Sequence, residues 1–171
     1  IIGDPGEGDA SQYVLHDQIV TTAAKDNVKF IVISSDVIYP DGAMKDYEKN
    51  FWLPMKGVHI PVYAIPGNHD WYDALEGFAA TFFDSTSASK AMEARRSADL
   101  DISSTTHEKI VTQIVEADRL RKEYRVPTGF QQAPYFQIQT KEFAFICVET
   151  GVVRRIDDVQ MEWLKKSLEA S

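Results

Sequence analysis

Short apolar runs alternate with longer amphipathic stretches along the first half of the chain. The runs at residues 1–2, 30–33 and 62–65 are continuous, which is typical of strands covered on both faces of a sheet. Between the first two runs, the pattern predicts a helix from Asp9 to about Lys25, opened by a capping box of Asp9 and Gln12. The residues predicted on its buried side are Leu15, Ile19, Val20 and Ala23. Alternating strands and helices predict an α/β fold.

The second half of the chain has a different pattern. Residues 84–130 are polar and rich in Ala, Ser and Thr, and they are predicted to form a helical insertion or cap. One helix should run from about Thr106 to Arg125, with an apolar stripe of Ile110, Ile114, Ala117 and Tyr124. Two strands, at 135–138 and 143–148, and an amphipathic helix, at 157–168, should follow. We expect a single domain over residues 1–171 that contains this insertion.

Composition narrows the classes of function. The chain has 171 residues, with 44% hydrophobic and 26% charged residues, as is ordinary for a globular protein. Its net charge of −8 does not favour non-specific binding to nucleic acid. No apolar run is long enough to cross a bilayer. Cys147 is the only cysteine, which excludes an internal disulfide and weakly favours a cytoplasmic location.

Each of the three predicted parallel strands ends in residues suited to metal chemistry. Asp4 follows the first, Asp36 the second, and the tetrad Gly67-Asn68-His69-Asp70 the third. Ligands of open α/β sheets bind beyond the carboxyl ends of the strands, so these side chains should share one neighbourhood. Carboxylate and amide oxygens suit Mg, Mn, Fe or Zn. In such a site His69 could protonate a leaving alkoxide, with Asp70 orienting its imidazole.

These residues resemble the motifs of the calcineurin-like metallophosphoesterases, including the purple-acid-phosphatase branch. The first family motif, Asp-x-His or Asp-x-Gly, is matched in its second form by residues 4–6. Residues 35–39 match Gly-Asp-x-x-Tyr, and residues 67–70 match Gly-Asn-His-Asp/Glu. The resemblance is strong over the first half of the chain and rests on the order of strands and helices in the rest.

The resemblance implies an αββα sandwich and a centre of two divalent or trivalent metal ions, Mn, Fe, Zn or Mg. It implies hydrolysis of a phosphate ester by a metal-bound hydroxide. His69 would face the substrate phosphate and assist the leaving group. The implied metal ligands are Asp4 for the first metal, Asp36 as the bridge, Asn68 for the second metal, and Tyr39 by analogy with the tyrosinate of purple acid phosphatases.

The chain departs from the family pattern at several positions. Ser35 replaces the usual glycine, and Gly6 stands where many relatives have a metal-binding histidine. The family's later motifs, a lone His and a Gly-His-x-His, have no match among the histidines His16, His59, His69 and His107. We therefore expect a partial metallophosphoesterase domain whose remaining motifs lie beyond Ser171, or a half-site.

Three functional hypotheses remain open from the sequence. The first is a phosphoesterase acting on a phosphorylated small molecule or protein; the second is a catalytically inactive scaffold or interaction protein. A nuclease or nucleotide phosphodiesterase is a third, without support from the acidic charge. Trp71 and Tyr72 are expected to pack at the base of the site. Arg121 and Arg125 are expected to lie over apolar surface rather than to bind substrate.

Overall fold

A three-stranded parallel sheet presents the predicted site residues at one edge. The computed structural model describes residues 1–97 and 105–169. In spatial order the strands are β1 (Ile2–Gly3), β2 (Ile31–Ser34) and β3 (Val62–Ile65). Ile33 pairs with Ile2 on one side and with Ala64 on the other. All three predicted strands are confirmed, and because they are parallel their carboxyl ends lie side by side.

Helices surround this sheet. Those in the described residues are α1 (Ala10–Lys25), α2 (Met44–Tyr47), α3 (Glu76–Phe82), α4 (Ser85–Ser97), α5 (His107–Tyr124) and α6 (Asp158–Glu169). One π-helical turn, Glu48–Trp52, continues α2. The hydrophobic pattern did not indicate α3, because all seven of its residues are buried and it lacks the exposed polar positions of an amphipathic helix. No helix of the described segments is long and apolar enough to cross a membrane.

A second, antiparallel sheet faces the first through aromatic side chains. Its strands are β4 (Phe136–Gln139) and β5 (Ala144–Cys147). Phe136 stacks on Tyr63 of β3 with ring centroids 5.3 Å apart, and Phe145 of β5 meets Phe30 edge-on at 5.3 Å. These contacts bring together sheets with no backbone pairing between them in the described residues. The predicted α/β class is confirmed, and two facing sheets are consistent with the expected sandwich.

The hydrophobic core extends from the sheet into the helices of the predicted insertion. α3 packs against α2, α4 and α5, and its Phe78 and Phe82 are fully buried. On α5, the buried residues are Ile110, Gln113, Ala117 and Leu120. Ile114 and Tyr124, also predicted on this stripe, are partly buried against the core. Since α4 and α5 share one core with the sheet, they hold α3 and the loop before it in place.

The predicted buried side of α1 is wrong at Leu15, which is 52% exposed. Ile19, Val20 and Ala23 are partly buried, and Gln12 is the one buried residue of the helix. The reason is that α1 lies beside β1, the short strand at the sheet edge, so Leu15 lines an open groove.

The capping box expected at the start of α1 is also different. Asp9 caps the helix as predicted, because its carboxylate accepts from the Ser11 amide at 2.9 Å. The Gln12 side chain, however, accepts from the Gly8 amide at 3.0 Å and donates to the Asn50 carbonyl at 2.6 Å. It therefore joins α1 to the π-helical turn instead of closing a box with Asp9.

A side chain satisfies the backbone at the outer edge of β3. Gln131 is 2% exposed, and its carboxamide accepts from Ala64 N at 2.8 Å and donates to Ala64 O at 2.9 Å. These are the two bonds that another strand would make at that position. Gln131 therefore ends the sheet at β3 without leaving buried backbone groups unpaired.

We expect Gln131→Ala to lower the free energy of unfolding by about 2–3 kcal/mol, because both polar groups of Ala64 would lose their partners in a buried position. Denaturant unfolding followed by tryptophan fluorescence measures this change. The exposed neighbour provides the control, and Gln132→Ala should change stability by less than about 0.5 kcal/mol. Equal stability of the two variants would contradict this role.

Candidate metal centre

The carboxylate of Asp70 fastens the loop after β3 to the loop after β2. Asp70 is fully buried, and its Oδ2 accepts from the amides of Gly67 and Val37, each at 2.9 Å. Its Oδ1 accepts from the Ile38 amide at 3.1 Å. Burial raises the pKa of Asp70 to about 6, against the opposing effect of these three hydrogen bonds. The tetrad and the Asp36 loop are therefore held in a fixed relation.

Asp36 lies between these two loops. It is 6% exposed, and its Oδ1 accepts from the backbone amide of His69 at 3.0 Å. Its Oδ2 accepts from the Tyr39 hydroxyl at 2.8 Å. Burial, together with the neighbouring carboxylates of Asp36 and Asp4, raises the pKa of Tyr39 well above its ordinary value. Three of the predicted ligands, Asp4, Asp36 and Tyr39, thus lie in one neighbourhood.

His69 is oriented by a backbone carbonyl rather than by Asp70. Its Nδ1 lies 2.7 Å from Pro40 O, and a carbonyl can only accept, so Nδ1 carries a proton. The imidazole contacts two tyrosine rings, with centroid distances of 4.3 Å to Tyr39 and 5.0 Å to Tyr72. No sequence motif could reveal the Pro40 contact, because any residue offers the same carbonyl.

The side-chain amide of Asn68 forms a hydrogen bond through its nitrogen. Its Nδ2 donates to the Tyr72 hydroxyl at 3.1 Å. This bond directs the amide nitrogen toward Tyr72 and leaves the carbonyl oxygen for a cation. Tyr72 is 61% exposed, so it is not a packing residue at the base of the site as the sequence suggested.

The backbone at the strand ends is strained at the proposed ligands. Asp4, Ser35 and Asp36 have positive φ values of 45°, 91° and 38°. Residues with side chains adopt this region infrequently, aspartate more readily than most, and such residues occur at functional sites as well as in turns. The value at Ser35 is one that glycine adopts more readily, and glycine is the residue that the family pattern places there.

Two glycines permit the close approach of the loops. A Cβ on Gly67 would lie 2.0 Å from Asp36 Oδ1, and a Cβ on Gly6 would lie 1.9 Å from Val37 O. Neither position can hold a side chain unless the backbone moves. The glycine at position 6 is therefore required by the packing of the loops, which excludes a histidine ligand there in this conformation.

The donor set fits a hard cation. In the described part of the chain, neither Asp4 nor Asp36 forms an ion pair with a basic residue. A buried carboxylate without a countercharge is costly, and a bound cation would compensate it. Over residues 1–97 and 105–169, however, no three His, Cys, Asp or Glu side chains are close enough to hold a metal by themselves. The amide of Asn68 and the hydroxyl of Tyr39 would have to contribute.

The remaining candidates lie away from these loops and have local partners. The guanidinium of Arg121 donates to Thr128 Oγ1 at 2.9 Å and to Thr81 O at 3.0 Å, and it pairs with Asp118. The Arg121 guanidinium is therefore held by polar partners within the fold, whereas the sequence predicted that it lies over apolar surface. The imidazole of His16 contacts Lys56 O at 2.6 Å, so it has a local partner.

Comparison with known families identifies the family of this domain. The model of the family described as calcineurin-like phosphoesterase matches residues 1–166. The chain belongs to this family. Membership supports a hydrolase that acts on phosphoesters with the help of divalent metals. Searches of curated proteins and of solved structures gave no significant match.

Alanine substitutions at two glycines test how closely the loops after β2 and β3 approach each other in this phosphoesterase domain. Gly67→Ala should lower the free energy of unfolding by about 2 kcal/mol, because the new methyl group would collide with Asp36. Gly3→Ala is the control, since its Cβ would lie 3.8 Å from Ser34 Oγ, an ordinary contact. Urea unfolding of both variants measures the difference, and equal values would disprove the close approach.

A second prediction concerns Asp73, which follows the tetrad and caps α3. Its carboxylate oxygens accept from the amides of Glu76 at 3.1 Å and Gly77 at 3.0 Å. Burial raises the pKa of Asp73 to about 7, with further contributions from the charges of Glu76 and Asp70. The folded state therefore binds this proton more tightly than the unfolded state, and stability should fall as pH rises from about 4 to 7.

Asp73→Asn should make that fall smaller by about 1–3 kcal/mol, measured by urea unfolding of metal-free protein at pH 4.5 and 7.5. Asp84 is the matched control, because it caps α4 near solvent and hydrogen bonds from Ser87 lower its pKa. Asp84→Asn should leave the difference in unfolding free energy between the two pH values unchanged. Identical profiles for wild type and Asp73→Asn would contradict the prediction.

Proposed function

We propose that this protein hydrolyses a phosphate ester at a binuclear metal centre formed by the loops after β1, β2 and β3. The observation that carries the proposal is the buried carboxylate of Asp36, which lacks a basic partner in the described residues and lies against the His69 amide. A phosphorylated small molecule or protein is the proposed substrate. The acidic net charge of −8 gives no support to a nucleic-acid substrate.

Four side chains would hold the metals. Asp4 and Tyr39 would bind the first ion and Asn68 the second, with Asp36 shared between them. When bound, the two ions would supply Lewis-acid activation of the attacking water and charge stabilisation at the phosphoryl oxygens. The Tyr39 hydroxyl now donates to Asp36, so binding through Tyr39 would require that bond to break and the phenol to lose its proton.

His69 would transfer a proton to the leaving group. Its Nδ1 is occupied by Pro40 O, whereas its Nε2 has no hydrogen-bond partner in the described residues. In the doubly protonated ring, Nε2 would give its proton to the departing alkoxide while Nδ1 keeps its own proton bonded to Pro40 O. The flanking rings of Tyr39 and Tyr72 limit rotation of the imidazole, which keeps Nε2 on the side of the ring away from Pro40.

One observation favours the alternative of an inactive scaffold. Of the other histidines, His16 is bonded to Lys56 O and Asp17, and His107 pairs with Glu93. Neither lies at the strand ends with His69, so the ligands that the described residues offer there are oxygens. Metal stoichiometry separates the two hypotheses: two equivalents support the phosphoesterase, and one or none supports the scaffold.

Activity is tested with p-nitrophenyl phosphate and added Mn²⁺, using the protein in its natural length. We expect Asp36→Asn and His69→Ala each to lower kcat/KM by about 100-fold or more, because one removes the shared ligand and the other the proton donor. His59→Ala, at an exposed position, is the control and should keep wild-type activity. Unchanged turnover in the first two variants would refute the proposed function.

A further inference from the structure

The loop that follows β5 lies against the carboxyl ends of β2 and β3. A Cβ on Gly151 would lie 3.1 Å from the carbonyl carbon of Gly67, the first residue of the tetrad. Val148 and Thr150 line a cavity of about 210 Å³ together with Ser35 and Pro66. The second sheet therefore reaches the candidate metal centre through this loop.

Glu149 is the buried acid of that loop. It is 4% exposed, and its Oε1 accepts from the Trp71 indole Nε1 at 3.1 Å and from the Gly151 amide at 2.5 Å. No basic side chain of the described residues pairs with it. Burying a carboxylate without a basic partner costs free energy that an apolar residue at the same position would not. We therefore expect Glu149 to have a specific function.

The backbone of Glu149 is itself fixed from α6. Gln160 is 1% exposed, and its carboxamide accepts from Glu149 N at 2.8 Å and donates to Glu149 O at 3.0 Å. Asp157, just before α6, accepts from the Gln160 side chain at 2.9 Å and holds it in place. The carboxylate of Glu149 is therefore presented from a rigid support.

Trp71 passes this restraint to the tetrad. It follows Asp70 directly, and its backbone amide donates to Asn68 O at 3.2 Å, which closes the turn that contains the proposed ligand. The guanidinium of Arg95 lies over the Trp71 ring, 5.5 Å from its centroid. Only two hydrogen bonds thus separate Glu149 from Asn68.

We propose that Glu149 is a positioning residue that holds the Asn68 turn through Trp71 and so sets the affinity of the centre for metal. The role toward metal rests on the proposed function, whereas the restraint on the turn does not. Outer partners of metal ligands typically contribute 10- to 100-fold in affinity. Losing the indole bond would let Trp71 and the turn move, and the amide oxygen of Asn68 would no longer be held toward the cation.

The variants separate this role from simple packing. Glu149→Gln keeps an acceptor oxygen for Trp71 and Gly151, so it should behave within about threefold of wild type. Glu149→Ala should bind Mn²⁺ about 10- to 100-fold more weakly in calorimetric titrations. Trp71→Phe removes the indole donor alone and should weaken binding in the same direction. The double variant Glu149→Ala/Trp71→Phe should bind Mn²⁺ no more weakly than Glu149→Ala, because both substitutions remove the same hydrogen bond.

Amide hydrogen exchange of the metal-free protein provides a readout independent of metal and of activity. In Glu149→Ala, the Gly67 and Trp71 amides should exchange at least about 10-fold faster, whereas the amides of β2 should not change. Glu142→Ala, at an exposed turn of the same hairpin, is the control and should leave both regions as they are. Faster exchange at the tetrad in Glu149→Ala and not in Glu149→Gln supports the proposal.

Two results would overturn it. One is unchanged exchange at Gly67 and Trp71 in Glu149→Ala; the other is equal loss of Mn²⁺ affinity in Glu149→Gln and Glu149→Ala. If wild-type protein binds no Mn²⁺, the proposed function fails and the role of Glu149 toward metal fails with it. Exchange then decides separately whether Glu149 restrains the turn.

Discussion

The candidate centre depends on a single buried carboxylate, that of Asp70. It accepts three backbone N–H groups from two loops that are 30 residues apart in the chain, and the Asp36 carboxylate adds one more bond of this kind by accepting the His69 amide. Because Val37 follows Asp36 directly and Gly67 precedes Asn68, these bonds also fix the relative positions of the proposed ligands. Three donors stabilise the charge that burial disfavours, so the geometry of the site and the ionisation of Asp70 are set by the same contacts.

This close approach imposes further constraints on the sequence. The loops come so near to one another that Gly6 and Gly67 have no room for a side chain, and Asp4, Ser35 and Asp36 adopt positive φ values. Strain of this kind costs on the order of 1–3 kcal/mol per residue and persists only where the surrounding contacts outweigh it. Here the fastening by Asp70 and the pairing of three parallel strands supply those contacts, and two of the proposed ligands, Asp4 and Asp36, are among the residues with such φ values.

The outer elements of the fold converge on the same turn. On one side, Glu76 of α3 accepts one hydrogen bond from Gln113 and pairs with Lys109, both on α5. On the other side, Trp71 lies between Arg95 of α4 and Glu149 of the second sheet. The helical segment and the second sheet are therefore joined to the residues that immediately follow the tetrad. Changes in either element can reach the metal loops without contacting substrate.

The sequence by itself determined the parallel strands, most of the helices and the residues at the strand ends, because apolar runs and the tetrad are local patterns. It did not reveal that Asp70 binds backbone amides, that Pro40 orients His69, or that Gln131 completes β3, since each pairing joins residues far apart in the chain. Leu15 shows the same limit: helical spacing indicates one apolar side, but only the position of α1 beside an edge strand decides that this side stays open. Periodicity records which face of an element is apolar, whereas burial and hydrogen-bond partners depend on what the folded chain places against that face.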